Sequence, residues 1–165
     1  MSLSDTIGFV YAPIIGSPKL PRGFTLQNGR DNDRTAIEDS NLADALWNRI
    51  KFLVPGELDG KRVIGLNERL RFYRYTAGQS FSPHTDGYYL RDNGERSLLT
   101  LLLNLNDNFS GGETRFLETE QLITPQQGQA MIFSHELWHE GLPVTAGYKY
   151  VLRTDVMYEG RANTL

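Results

Sequence analysis

The chain has 165 residues, 39% of them hydrophobic and 22% charged, which suits one domain with a real core rather than two. A formal charge of −3 leaves no electrostatic footprint for nucleic acid or an anionic membrane, and the lack of cysteine excludes disulfides, thiolate metal sites and cysteine nucleophiles. No apolar run approaches a membrane span and no basic region precedes an apolar core at the start, so a cytoplasmic protein is expected.

In chain order, Ile7–Ile15 carries Phe9, Val10, Tyr11, Ile14 and Ile15 and suggests a strand interrupted at Pro13, after which Pro18 and Pro21 mark a loop. Asp31–Arg34 reads as a polar turn. From Asp39 to Phe52 the apolar positions Leu42, Ala45, Leu46, Ile50 and Leu53 recur at helical spacing. Asp39 or Ser40 can cap that helix, Pro55-Gly56 ends it, and Trp47 is expected under its edge. Past a turn at Asp59-Gly60, β signals take over. Arg69–Thr76 alternates, Ser97–Leu105 reads as a strand buried on both faces, and Glu113–Leu117, Gln129–Phe133 and Tyr148–Tyr158 follow as strands. Gly56–Asn67 and Tyr88–Glu95 read as loops able to cover a cleft. One helix followed by six or more short strands predicts a mainly β fold with a flanking helix (α+β), of closed or double-sheet form such as a jelly roll.

The chemistry concentrates in two stretches, Phe81–Gly87 and Phe133–Gly141, which hold all three histidines. His84 and Asp86 are separated by one residue, so at an extended strand end their side chains point the same way and can take adjacent positions on a metal ion. A third ligand must come from elsewhere. His139, followed by Glu140-Gly141-Leu142-Pro143-Val144, is favoured over His135, which is expected at the rim of a pocket or on the surface. A single histidine on a sheet is usually structural, but two imidazoles with one carboxylate and open positions suit non-haem Fe(II) chemistry with O2.

The last strand adds Lys149 and Arg153 on one parity. Alone they would read as a solvated face, yet Thr100 and Asn104 share a parity inside a leucine strand, and Tyr73 and Tyr75 share one just before His84. Polar groups aimed into a β core need partners. A dicarboxylate would partner Lys149, with hydroxyls from Thr100 and Tyr75 adding hydrogen bonds.

These motifs are specific in combination. Tyr75–Asp86, Leu105-Asn106-Asp107, Gly111–Phe116, His139–Val144 and Gly147-Tyr148-Lys149 together resemble the Fe(II)/2-oxoglutarate-dependent dioxygenases, specifically their prolyl-4-hydroxylase-like branch. The resemblance runs from Asn67 to Tyr158. It implies a double-stranded β-helix (jelly-roll, cupin-like) core, with iron held by His84, Asp86 and His139. It also implies that Lys149, ten residues after His139, anchors the C5 carboxylate of 2-oxoglutarate beside Thr100 and Tyr75; Arg153 either assists its C1 end or makes a structural ion pair with Asp155 or Glu113. Asn104 stands where many members carry Tyr.

The activity implied is hydroxylation of a C–H bond with release of succinate and CO2, using Fe(II), 2-oxoglutarate and O2, with ascorbate as a stimulant. No protein general base is expected. A peptidyl proline is the favoured substrate by analogy and a small molecule the other choice, with Tyr73, Tyr88, Glu68 and Asn104 as the expected substrate contacts. The rival from another class is a non-catalytic, cupin-like metal- or ligand-binding module, against which the Lys149 and Thr100 constellation argues.

Overall fold

The computed structural model describes residues 9–11 and 32–160. In chain order these form β1 (Phe9–Tyr11), β2 (Asp33–Glu38), α1 (Ser40–Ile50), β3 (Glu57–Leu58), β4 (Lys61–Leu66), β5 (Arg69–Thr76), β6 (Phe81–His84), β7 (Arg96–Asn104), β8 (Ser110–Gly111), β9 (Thr114–Phe116), β10 (Gln121–Ile123), β11 (Ala130–Ser134), β12 (His139–Gly141), β13 (Val144–Ala146) and β14 (Tyr148–Tyr158). A large sheet runs β1-β11-β7-β14-β4-β3, with β5 also on β14 and β2 on β5. A smaller sheet runs β10-β9-β12-β6, and β13 pairs with β8. This is the double-stranded β-helix expected from the motifs. Among the described residues no helix is long and apolar enough to cross a membrane.

Two layers of core explain the strand patterns. On one face of the large sheet, Leu99 and Leu101 of β7 and Ala130 and Ile132 of β11 pack with Ala43 and Ile50 of α1. On the other face, Met131 and Phe133 meet Phe116, Ile123 and Leu137 of the smaller sheet's region, with Leu102 against them. β7 is therefore apolar on both parities because it is covered on both faces. Helix α1 starts at Asp39, whose extended backbone (φ −146°) turns its carboxylate to accept the Leu42 N–H at 2.9 Å. Its inward stripe is Ala43, Leu46, Trp47 and Ile50, a spacing of three and four residues. Ala45, expected on that stripe, is exposed, and Leu53 lies beyond the α-helix and is partly exposed.

Three further expectations change. Asp31–Arg34 is no turn: Asp33 begins edge strand β2, whose residues are all exposed and so give no burial period to read. Its pairing on β5 rests on backbone ladders and cross-strand ion pairs, Arg74–Asp33 and Arg69–Glu38. Gly56–Asn67 is no covering loop, because Asp59 and Gly60 both have positive φ (53° and 70°) and close a tight β3–β4 hairpin whose second strand pairs with β14. Of the strand expected at Ile7–Ile15, Phe9–Tyr11 runs parallel to β11, while the proline-marked loop lies outside the described residues.

The β8–β13 pair depends on Gly111, where φ is +75° and a Cβ would lie 2.4 Å from the Pro143 carbonyl oxygen. Gly111→Ala should lower stability by about 1–3 kcal/mol. Phe133→Ala, which empties the interlayer core, should cost about 3–5 kcal/mol. Urea unfolding of both variants checks the order.

Candidate metal centre

The small sheet brings the two distant histidines together. His84 ends β6, His139 opens β12, and the register sets them directly opposite each other, with ring centroids 4.2 Å apart. Asp86 lies two residues beyond β6, tethered by its own N–H to the His135 carbonyl oxygen at 2.8 Å. Its Oδ1 is 3.6 Å from His84 Nε2 and its Oδ2 is 3.8 Å from His139 Nε2. One ligand atom from each residue falls within 4.8 Å of the others, the compactness a single ion requires.

The imidazoles are prepared for that role. His84 Nδ1 donates to the Ser82 carbonyl at 2.7 Å and His139 Nδ1 to the Leu137 carbonyl at 2.9 Å, so each Nε2 keeps its lone pair facing Asp86. Phe81 stacks on His84 at 3.5 Å between centroids, and Phe133 meets His139 edge-on at 4.7 Å, which fixes both ring planes. Burial opposes the charge on Asp86, but His139, Arg153, the Thr100 hydroxyl and His84 together hold its carboxyl well below the usual range. The donor set thus offers two imidazole nitrogens and one ionised carboxylate.

Behind Asp86 runs a chain of hydrogen bonds. Thr100 Oγ1 donates to Asp86 Oδ2 at 2.6 Å, so at its 2.8 Å contact with His135 Nδ1 it must accept. His135 Nε2 then accepts from Ser97 Oγ at 2.7 Å, and Ser97 Oγ accepts the Tyr89 N–H at 2.8 Å. Burial pushes the His135 imidazolium down to about pKa 4, with Asp155 and Asp86 opposing, so the ring works as a neutral relay. His135 is 5% exposed, not at a rim or on the surface. Thr100, expected beside Lys149, spends its hydroxyl on Asp86 and His135.

A recess opens in front of the ligands, lined in part by Tyr73, Tyr75, Leu102, Lys149, Val151 and Arg153. Lys149 and Arg153 share the face their parity predicted. The Lys149 ammonium donates to the Gly112 carbonyl at 2.6 Å and lies 5.6 Å from the centre of the Tyr75 ring. Burial lowers its pKa to about 8, against the opposing pull of Glu113. Arg153 Nη2 is 3.4 Å from both Asp86 and the fully buried Asp155, which also takes Arg71 Nη2 at 3.2 Å. Its ion pair is with these two aspartates and not with Glu113.

Three residues expected as substrate contacts do not line this recess. Asn104 is buried and donates to Gln129 Oε1 at 3.1 Å; Glu68 pairs with Arg91; and Tyr88, 59% exposed, lies against the Arg96 guanidinium. Ser97 and Arg71 were not anticipated at the site, nor were the stacking role of Phe81 and the relay role of His135; for the relay, Ser97 and Thr100 in an apolar strand were the legible signal. Thr100→Val should weaken Fe(II) binding about 10- to 100-fold, with Thr100→Ser restoring most of it. Anaerobic metal titration of the two variants measures this, and unchanged affinity in the valine variant would reduce Thr100 to a packing residue.

Comparison with known proteins agrees with this geometry. Residues 70–154 match the model of the 2OG-Fe(II) oxygenase superfamily. The chain is 31% identical over 104 residues to a candidate prolyl 4-hydroxylase of Acanthamoeba polyphaga mimivirus, covering 51% of this chain and 42% of that protein. It is 33% identical over 73 residues to a candidate prolyl 4-hydroxylase 11 of Arabidopsis thaliana, covering 40% and 24%. It therefore spans less than half the length of either relative. Among solved structures, the viral collagen prolyl hydroxylase of Paramecium Bursaria Chlorella virus-1 in its 2OG complex has a TM-score of 0.61 at 21% identity, over 80% of this chain and 82% of that one. A Pseudomonas putida prolyl-4-hydroxylase has a TM-score of 0.59 at 20% identity, over 81% and 74%. Since the matched segment takes in more than half of the residues, and with them His84, Asp86, His139 and Lys149, the chain belongs to the 2OG-Fe(II) oxygenase superfamily.

Proposed function

We propose that the chain is an Fe(II)- and 2-oxoglutarate-dependent dioxygenase that hydroxylates a C–H bond, with a peptidyl proline as the favoured target. The observation that carries this reading is the pairing, in one recess, of the His84–Asp86–His139 centre with the buried ammonium of Lys149. Two imidazole nitrogens and a carboxylate suit Fe(II) and leave positions for other ligands. A buried cation at the far end of the recess suits the distal carboxylate of 2-oxoglutarate. The prolyl target rests on the relatives, which carry prolyl hydroxylase names.

Bound here, Fe(II) with 2-oxoglutarate and O2 supplies the oxidation of an unreactive C–H bond to an alcohol, 2-oxoglutarate leaving as succinate and CO2. The protein's own contribution is geometric and electrostatic. His84 and His139 present fixed Nε2 atoms, and Asp86 is held ionised by its neighbours. The relay through Thr100 and His135 restrains the carboxylate. Lys149 and Tyr75 orient the cosubstrate's distal end, and Arg153 steadies Asp86. Phe81, Leu102 and Val151 line the recess and limit water around the reacting groups. No side chain is needed as a general base.

Aerobic incubation with Fe(II), 2-oxoglutarate and ascorbate should release succinate, and a prolyl peptide should raise the rate and gain one oxygen atom. His84→Ala should abolish both, and a metal-loaded protein that forms no succinate with or without peptide would refute the enzyme. Lys149 adds a pH signature. Its pKa when folded lies below its ordinary value, so the ammonium that binds a dianion is present below about pH 8 and lost above it. Affinity for 2-oxoglutarate, measured anaerobically, should therefore fall about tenfold between pH 7 and pH 9. The same sign means that the folded protein keeps this lysine charged at a cost near neutral pH, a cost that fades as pH rises through 8. Lys149→Met should accordingly abolish 2-oxoglutarate binding while melting no lower than the unsubstituted protein at pH 7.

A further inference from the structure

The floor of the recess does not stop at the small sheet. Directly paired residues of an antiparallel sheet project to the same face. Arg153 is paired with Arg71, Val151 with Tyr73 and Lys149 with Tyr75. One strand further out, Tyr73 is paired with Arg34 and Arg71 with Ala36. The face that carries Lys149 thus continues across β5 onto the exposed edge strand β2. There it forms a second, more open hollow that shares Tyr73 and Arg153 with the first.

This hollow is lined by four arginines, Arg34, Arg69, Arg71 and Arg153, and by no carboxylate. Arg69 lies 3.6 Å from Glu38 at the sheet edge. Arg71 and Arg153 both lean on Asp155, and Arg153 also on Asp86. A metal ion held by Asp86 would compete with Arg153 for that carboxylate, and Arg71 and Arg153 share the single charge of Asp155. Arg34 makes no ion pair with any described residue, and Arg153, only 9% exposed, keeps its Nε without a hydrogen-bond partner. Guanidinium groups that converge from adjacent strands and outnumber their acids are suited to an anion.

We propose that the Arg34–Arg71–Arg153 hollow is a carboxylate subsite for the substrate to be oxidised, so that this substrate carries an anionic group beside its target carbon. The inference rests on the dioxygenase reading, with 2-oxoglutarate held by Lys149 and the hollow left for the second reactant. A carboxylate reaches it from a free amino acid or from an acidic side chain of a peptide.

The test uses ¹⁵N-labelled protein loaded with Zn(II), as an inert stand-in for Fe(II), and saturating 2-oxoglutarate, so that the Lys149 site is filled. Acetate should shift the Arg71 and Arg153 Nε–H signals saturably, whereas acetamide should not. Arg34→Gln should weaken acetate binding about 3- to 10-fold. Arg71→Lys, which keeps a charge beside Asp155, should weaken it less. Arg49→Gln, in the last turn of α1, should leave it unchanged. No saturable shift, an equal response to acetamide, or undiminished affinity in Arg34→Gln would overturn the subsite. The two sources are separated by comparing L-proline with L-prolinamide, and amidated Ala-Pro-Glu with Ala-Pro-Gln. Tighter binding than acetate by L-proline assigns a free amino acid, and by Ala-Pro-Glu an acidic peptide; no gain with either overturns the link to substrate. Succinate formation by the Fe(II) protein is scored separately: acetate binding without succinate would remove the dioxygenase reading alone, and succinate without acetate binding would remove this one.

Discussion

The pairing of β6 with β12 is the constraint on which the centre depends. Side chains alternate along a strand, so a slip of one residue would turn His84 or His139 to the other side of the small sheet and separate the nitrogens. The register is held from several directions. β12 is paired on its other side with β9, where Phe116 stands opposite His139. The aromatic rings of Phe81 and Phe133 clamp the imidazoles, and the carbonyls of Ser82 and Leu137 fix their tautomers. Geometry of ligand atoms is thereby an outcome of packing and ladder hydrogen bonds that exist without any ion.

The interior around that centre carries far more charge than a β core normally tolerates. Asp86, Asp155, Lys149 and Arg153 are all largely buried, and each is tolerated for a different reason. Asp155 is surrounded by donors from Arg71, Arg153 and Asn67. Asp86 is fixed by Thr100 and by backbone, and Lys149 rests on a carbonyl and an aromatic face. Buried charges that exceed their structural partners mark places where binding energy has been reserved. Here the surplus is positive around Lys149 and across β5, while the His84–Asp86–His139 cluster has the make-up to hold a cation.

How much of this was legible in the amino-acid sequence depended on which physical signal each residue leaves. Helix α1 and strand β7 announce themselves because burial imposes a period or a continuous apolar run. The ligands were legible because His-x-Asp and a distant His before Gly and Pro are unusual residue types at turn-rich positions. Lys149 and Arg153 followed from parity along one strand. β2 was not legible, since an edge strand exposed along its whole length needs no alternation. Asn104, Glu68 and Tyr88 show another limit: a polar or aromatic residue in the right segment says nothing about which protein partner it meets, here Gln129, Arg91 and Arg96. His135 was misjudged because its neutral, fully bonded relay depends on Ser97 and Thr100, which lie a sheet neighbour away.

Strand β14 occupies the middle of the large sheet, flanked by β7 on one side and by β5 and β4 on the other. In the order of translation, however, it comes after every other strand described here. While the ribosome is still working on the preceding segments, β7 and β5 have no common neighbour, and their edges stay open to other nascent chains. Closure of the sheet, and with it delivery of Lys149 and Arg153, must therefore be a late event. Non-local pairing of this kind makes slow folding the norm, and the yield of soluble protein should respond to chaperone supply and growth temperature more than to the protein's final thermal stability.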